Sequence, residues 1–447
     1  MIWRKIFAGA LLFIACDKEE VVKTISNEEK YIVIEKTVLF GSSEQVTDYY
    51  ANNNFEAIWR TAINRSDLIS AIIDSQYDGV LLNDYPLQEL IQAHWNYSGL
   101  SIAQLKKTDV LFTKTYFKLA KQLATGKINP KKLYGDWEPY LQQIAYDSIL
   151  SQSIDKQKIY QNLEGIKPTS TLYKVYKKAF AKYVPVTTTD TVSAEGLMRK
   201  KIWVNFERTK WLPSDLGTHY VWVNLPEFQL KVISNDELVA THKVIVGTKE
   251  RRTPILSSAF SGIIVNPKWT VPPTILKKDV VPKATANREY FSSNRLTIFD
   301  KKTGKVIDPY DWNPENYNAY RYVQQTGPLN SLGQLKFDFP NNHMVYLHDT
   351  NNKRRFAERN RALSSGCVRV EDPFRMAEII FDMEQKDILR SQLDTLVVHE
   401  KTKNFKLNKK VNVHQVYFTA VIDDTEQIKI LNDVYSLDNI LYRRLIQ

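Results

Sequence analysis

The chain has 447 residues, 43% hydrophobic and 25% charged. That balance excludes a largely disordered chain and is long enough for two or three packed domains. The formal net charge of +11 suits an anionic partner, yet the basic residues are dispersed and accompany no nucleic-acid motif, so nucleic acid is not expected as a partner.

Met1–Ala15 reads as a targeting segment. Arg4 and Lys5 form a positive start, and Ile6 to Ala15 is an apolar run too short to span a bilayer. It ends at Ile14-Ala15-Cys16, which resembles a lipobox with Phe13 in the position usually held by leucine. The expectation is a signal peptide over 1–16, lipid attachment at Cys16, and an envelope lipoprotein anchored in the outer membrane and facing the periplasm. Residues 17–40 read as a charged tether; Asp17-Lys18-Glu19-Glu20 resembles a short acidic export tag, and is otherwise a solvated spacer.

From residue 41 to 200 the pattern is helical. Tyr49, Tyr50, Phe55 and Trp59 fall near helical spacing, and Leu68, Ile69, Ile72 and Ile73 continue an apolar stripe. Helices are predicted over Leu87–Trp95, Thr108–Ala124 (stopped by Gly126), Leu172–Tyr183 and Ala194–Leu212. Pro185 to Thr191 reads as a linker or hairpin edge. Alternating segments follow at Tyr220–Leu225, Phe228–Ile233 and His242–Val246, spaced by Gly, Pro and Asp turns, so a mainly β, sandwich- or barrel-like domain is predicted over 201–400. The class is therefore α+β.

Residues 274–342 interrupt the β pattern with Tyr290, Phe291, Tyr310, Trp312, Tyr317, Tyr320 and Tyr322, as a lid beside a site would, with exposed rings expected along a groove. The lysine-rich stretch Lys401–Lys410 reads as a solvated strip, and Val416–Ala420 as a last strand in a C-terminal strand and helix extension (401–447) that packs back on the core.

The chemistry concentrates at Tyr346-Leu-His-Asp-Thr350 and Leu363-Ser-Ser-Gly-Cys-Val-Arg-Val370. Beyond Cys16, Cys367 is the single cysteine. A thiol attacks as thiolate and needs a base or cation beside it, and His348 at the end of a short buried strand is the candidate. Ser364, Ser365 and Gly366 make a small-residue turn whose N–H groups can converge beside the sulfur. Asp372-Pro373 then caps a helix over Phe374–Met383. There is no HExxH or other metal pattern, and no cofactor is expected.

A histidine followed nineteen positions later by the cysteine of Ser-Ser-Gly-Cys-Val-Arg resembles the signature of the L,D-transpeptidases with a YkuD-type catalytic domain. Ser365 stands where many relatives carry a second histidine, as in the long-chain branch. The resemblance extends over roughly residues 40–440. It includes a helical scaffold before the catalytic domain and a capping subdomain at 274–342, but no small peptidoglycan-binding module is recognisable in 150–200.

What the resemblance implies is a monomeric enzyme acting on peptidoglycan stem peptides. Cys367, as a thiolate paired with imidazolium at His348, attacks the amide before the terminal D-Ala. N–H groups of Gly366 and Cys367, with Ser365, hold the oxyanion. An amine of a second stem then takes the acyl group, forming a 3-3 cross-link. Arg369 either binds a stem carboxylate, favours the thiolate electrostatically, or braces the turn through backbone carbonyls, with Ser364 beside it. Asp349 is expected to point away from the imidazole, leaving a backbone carbonyl as its orienter. Two alternatives stay open: an L,D-carboxypeptidase or endopeptidase using the same residues with water as acceptor, and a non-catalytic peptidoglycan-binding lipoprotein. Two cysteines, one for lipid and one for catalysis, leave none for a disulfide.

Overall fold

The structure, a computed structural model, describes residues 32–140, 143–186, 192–423 and 425–447. Cys16 and the first part of the tether lie outside the described residues. The described residues divide into two compact units, one within Met1–Lys127, Leu141–Lys210 and Leu445–Gln447, the other within Ile128–Tyr140 and Trp211–Arg444.

The first unit is helical, with helices at Glu44–Asn52, Ala62–Asp74, Leu87–Trp95, Ile102–Thr125, Tyr146–Lys156, Ile159–Gly165, Thr171–Ala181 and Ala194–Thr209. The aromatic stripe is core: Tyr49, Tyr50 and Trp59 are buried with Phe112, Tyr116 and Phe117 of the long helix. That helix begins six residues before the sequence reading placed it. Ser101 and Gln104 form a reciprocal capping box, which starts a helix on a turn that is still solvent-exposed and so shows no apolar period. Buried Asp109 accepts hydrogen bonds from the N–H groups of Ile58 (2.9 Å) and Trp59 (2.7 Å) and from the Tyr50 hydroxyl (2.6 Å), fixing the preceding segment to the helix. Desolvation pushes its carboxyl up to about 6.

The second unit is built on strands β1 (His219–Asn224), β2 (Gln229–Ser234), β3 (Glu237–Gly247), β4 (Leu256–Ala259) and β5 (Gly262–Val265). Next come β6 (Trp269–Thr270), β7 (Leu296–Asp300), β8 (Val306–Ile307) and β9 (Tyr320–Gln324). The chain continues through β10 (Leu335–Asp338), β11 (Leu347–His348), β12 (Ala362–Ser364), β13 (Val368–Val370), β14 (Lys403–Lys406), β15 (Val411–Val416), β16 (Ala420–Ile422) and β17 (Ile428–Ile430). Eleven of these make one continuous mixed sheet in the order β14-β5-β10-β11-β13-β3-β2-β1-β15-β4, with β12 paired to β3. The α+β class predicted from the sequence is the class observed. The long β3 joins the β1–β2 hairpin side of this sheet to the side that carries His348 and Cys367.

Two local readings need correction. Lys401–Lys410 is not merely a solvated strip, because β14 within it pairs antiparallel with β5 and buries Phe405. The lysines that flank it suit an exposed edge, where charge discourages pairing with another chain. The last strand of the large sheet is β15, five residues earlier than Val416–Ala420. The ladder stops there because the Asn224 side chain bonds both the N–H (2.9 Å) and the carbonyl (3.1 Å) of Phe418.

Between β5 and β10 the chain builds a small body of its own, a four-stranded sheet β6-β9-β7-β8 with helical segments from Pro273 to Ser293. Its core is Val271, Leu276, Val280, Ala284, Phe291, Leu296, Ile298, Trp312 and Tyr322. The aromatics expected along a groove are therefore largely structural: Phe291, Trp312 and Tyr322 are buried against one another, and the Trp312 indole N–H donates to the Tyr322 hydroxyl (2.6 Å). Of the rings named from the sequence, Tyr310 is the exposed one. β10 belongs to the large sheet although it lies inside the stretch read as the insertion.

Candidate active site

Strand register assembles the site. β11 runs parallel to β13, pairing Leu347 with Val368 and His348 with Arg369, and antiparallel to β10, pairing Lys336 with His348. Side chains in register share a face, so Lys336, His348 and Arg369 form one row across three strands. Two residues earlier on the same face come Tyr346 and, at the mouth of β13, Cys367. Tyr346 touches both candidates. Its ring centroid is 5.6 Å from that of His348, and its N–H and hydroxyl act on the Cys367 sulfur. The Lys336 ammonium lies 4.2 Å over the Tyr346 ring and pairs with Asp338 (2.7 Å).

The turn before Cys367 is fixed from inside. The Ser364 hydroxyl donates to the Cys367 carbonyl (2.6 Å) and accepts from the Gly366 N–H (3.1 Å). Gly366 takes φ +123°, a conformation that favours glycine. The Gly366 N–H is thus already bonded and is not an oxyanion donor as expected. The N–H groups of Ser365 and Cys367 meet no acceptor among the described residues and remain open.

Charge also departs from expectation. His348 is buried, and desolvation together with the Arg369 charge lowers its pKa to about 3. The carbonyls of Asp349 and Leu332 oppose this, although the buried Nδ1 meets no hydrogen-bond partner among the described residues. Burial likewise pushes the Cys367 thiol up, against the Tyr346 N–H, the charges of Lys336 and Arg369, and the Tyr346 hydroxyl. Both shifts favour the neutral forms, a thiol at Cys367 and an uncharged imidazole at His348. Burial disfavours both ions of the expected thiolate–imidazolium pair; the Lys336 and Arg369 charges offset this for the thiolate and add to it for the imidazolium.

Asp349 does not steer the imidazole, as expected; it braces the adjacent turn instead. Its carboxylate accepts from the Gln334 N–H (2.9 Å) and lies against Gly333, where a Cβ would come within 2.4 Å of it. Among the described residues Arg369 makes one long hydrogen bond, to the Thr350 hydroxyl (3.5 Å), and its buried Nε meets no acceptor. The backbone-bracing role finds no bond to support it, and the guanidinium has donors to spare for an anion. Sequence reasoning passed over Lys336 and the Tyr346 hydroxyl, although Tyr346 stands two residues before His348, the spacing that places side chains on one strand face.

Residues 218–386 match the family model of the L,D-transpeptidase catalytic domain (YkuD), and residues 44–180 match that of the scaffold domain. Residues 218–386 are an L,D-transpeptidase catalytic domain. A Haemophilus influenzae protein named "Putative L,D-transpeptidase" is 30% identical over 311 residues, covering 68% of this chain and 61% of that protein. The chain thus spans about three fifths of that relative's length. The family's catalytic match contains the whole row from Lys336 through His348 to Arg369, together with Cys367.

Proposed function

We propose that the protein is a peptidoglycan L,D-transpeptidase that forms 3-3 cross-links by cysteine acyl transfer. The observation that carries this reading is the shared strand face on which Cys367, Tyr346, His348 and Arg369 meet beside two open N–H groups.

The donor is a tetrapeptide stem, held by its carboxylate at Arg369 with the amide before terminal D-Ala over Cys367. Since imidazole is neutral and sulfur protonated at rest, attack is a general-base step: the Cys367 proton passes to His348 as the sulfur–carbon bond forms. The tetrahedral oxyanion faces the N–H groups of Cys367 and Ser365. One such donor is worth about 10²–10³ in rate. His348 then returns the proton to the leaving amine, the C–N bond breaks, and D-Ala departs from a thioester. An amine of a second stem attacks the thioester, gives its proton to His348, and expels the Cys367 thiol, which is reprotonated. In the same reading the chain is held in the cell envelope by lipid at Cys16.

The test is the product formed from disaccharide-tetrapeptide by protein lacking residues 1–16, with Cys367→Ala in parallel. A product of two donors less one D-Ala, absent with the variant, is expected. Tripeptide alone points to water as the acceptor and a carboxypeptidase. Unchanged tetrapeptide from folded protein contradicts catalysis and favours a binding lipoprotein.

A further inference from the structure

The loop after β3 carries a group that no step above uses. Arg251 donates through Nη1 and Nη2 to the Asp279 carboxylate (2.6 and 3.2 Å), and through the same Nη1 to the Ser365 hydroxyl (2.9 Å). The three partners belong to different parts of the second unit. Asp279 lies in the widened helical turn Leu276–Val280, between two residues of the insertion's own core, so it moves with that body. Ser365 lies two residues before Cys367.

The loop holding Arg251 is locked to the large sheet. The Gly247 N–H donates to the Thr253 hydroxyl (2.8 Å), and the Tyr435 hydroxyl donates to the Gly247 carbonyl (2.9 Å). The Thr248 N–H donates to the Ser364 carbonyl (3.0 Å), and Arg252 pairs with Asp136 (2.8 Å). The turn itself is held internally by Ser364. The side chain of Ser365 has Arg251 as its one hydrogen-bond partner among the described residues.

We propose that Arg251 is a positioning residue that ties the insertion to the Cys367 turn and so sets how far the sulfur is open to a donor. A guanidinium suits the task, because its fork grips a carboxylate with two bonds and keeps a donor for the hydroxyl, which a lysine cannot do in one geometry. With the pair formed, the insertion stands over the turn and Ser365 is turned toward Arg251. With it broken, the insertion is free of the loop and Ser365 loses its tether.

The nucleophile is that of the acyl-transfer reading, so the test is built to decide the clamp even if that reading fails. Purified protein is alkylated at Cys367 with iodoacetamide and, separately, with a bulky fluorescein maleimide, and the ratio of rates is compared among wild type, Asp279→Asn, Asp279→Glu and Arg251→Lys. The expected result is a bulky-to-small ratio raised about five-fold in Asp279→Asn and Arg251→Lys, the size of a bidentate, partly exposed pair, and returned toward wild type in Asp279→Glu. Melting temperatures are expected to stay within a few degrees of one another. Equal ratios in all four proteins overturn the proposal. A rise that Asp279→Glu does not reverse overturns it too, since that marks general loosening. Where the wild type makes cross-linked product, Asp279→Asn is expected to raise KM for the tetrapeptide donor more than it lowers kcat.

Discussion

At the scale of single residues, the neutral state of His348 has measurable consequences. Its native pKa of about 3 lies below the unfolded value of 6.5, so between these limits the unfolded chain binds a proton that the native chain does not. Stability is therefore full above pH 6.5 and falls as pH drops toward 3, with a slope of at most about 1.4 kcal/mol per pH unit for this group. Urea unfolding should show His348→Gln losing about 1.6 kcal/mol less than wild type between pH 6.5 and pH 5. An equal loss in both proteins would contradict a buried neutral imidazole. The thiol makes a second prediction. Iodoacetamide modification of Cys367 should rise with pH up to and beyond the usual thiol range, whereas a thiolate–imidazolium pair would give a plateau from mildly acidic pH. The sequence supplied both candidate residues but not this charge state, which depends on burial by strands distant in sequence. Arg369 belongs to the same scale. Loss of a charge-assisted bond to a carboxylate predicts that Arg369→Gln raises KM for the donor about ten-fold with kcat less affected.

Secondary elements show what patterning reveals and what it hides. The helix Leu87–Trp95 and the helix after Asp372-Pro373 fall where apolar spacing and caps place them, the latter at Pro373–Met383. The long scaffold helix starts early because Ser101 and Gln104 cap it before its apolar face begins. β11 is only Leu347–His348, too short to announce itself by alternation, and it exists because β10 and β13 pair with it from either side. The insertion's aromatics were legible as a break in the β pattern, but whether they faced a groove or one another was decided by the pairing of β7 with β9, which sequence spacing does not carry. The end of β3 gives a prediction at this scale. A Cβ on Gly247 would lie 2.2 Å from the Arg251 carbonyl and 2.7 Å from the Thr253 nitrogen, both backbone atoms that cannot step aside. Gly247→Ala should destabilise the second unit by about 1–3 kcal/mol, read as a lowered denaturation midpoint. It should also slow acyl transfer by displacing Thr248 from Ser364. An unchanged midpoint and rate would show that the loop gives more freely than its bonding implies.

For the molecule as a whole, two compact units come from one chain that leaves and re-enters them. Ile128–Tyr140 sits within the helical stretch of the sequence yet belongs to the second unit. The reasons are specific: Trp137 is buried, stacked on Tyr134 (centroids 5.3 Å) and edge-on to Trp211 (5.0 Å), while the Glu138 N–H bonds the Ile255 carbonyl (2.8 Å). Local periodicity cannot show such a crossing, because the partners are over seventy residues away. Trp137→Ala should cost the second unit about 3–5 kcal/mol, seen as a calorimetric transition shifted down. The central claim, that Cys367 carries the acyl group, is tested most directly by intact-protein mass spectrometry of an acid-quenched reaction with disaccharide-tetrapeptide, followed by peptide mapping. The account predicts an adduct equal to the donor less D-Ala, confined to Cys367, released by hydroxylamine and absent in Cys367→Ala. An adduct on another residue, or turnover with none in a quenched time course down to milliseconds and undiminished in Cys367→Ala, would contradict it.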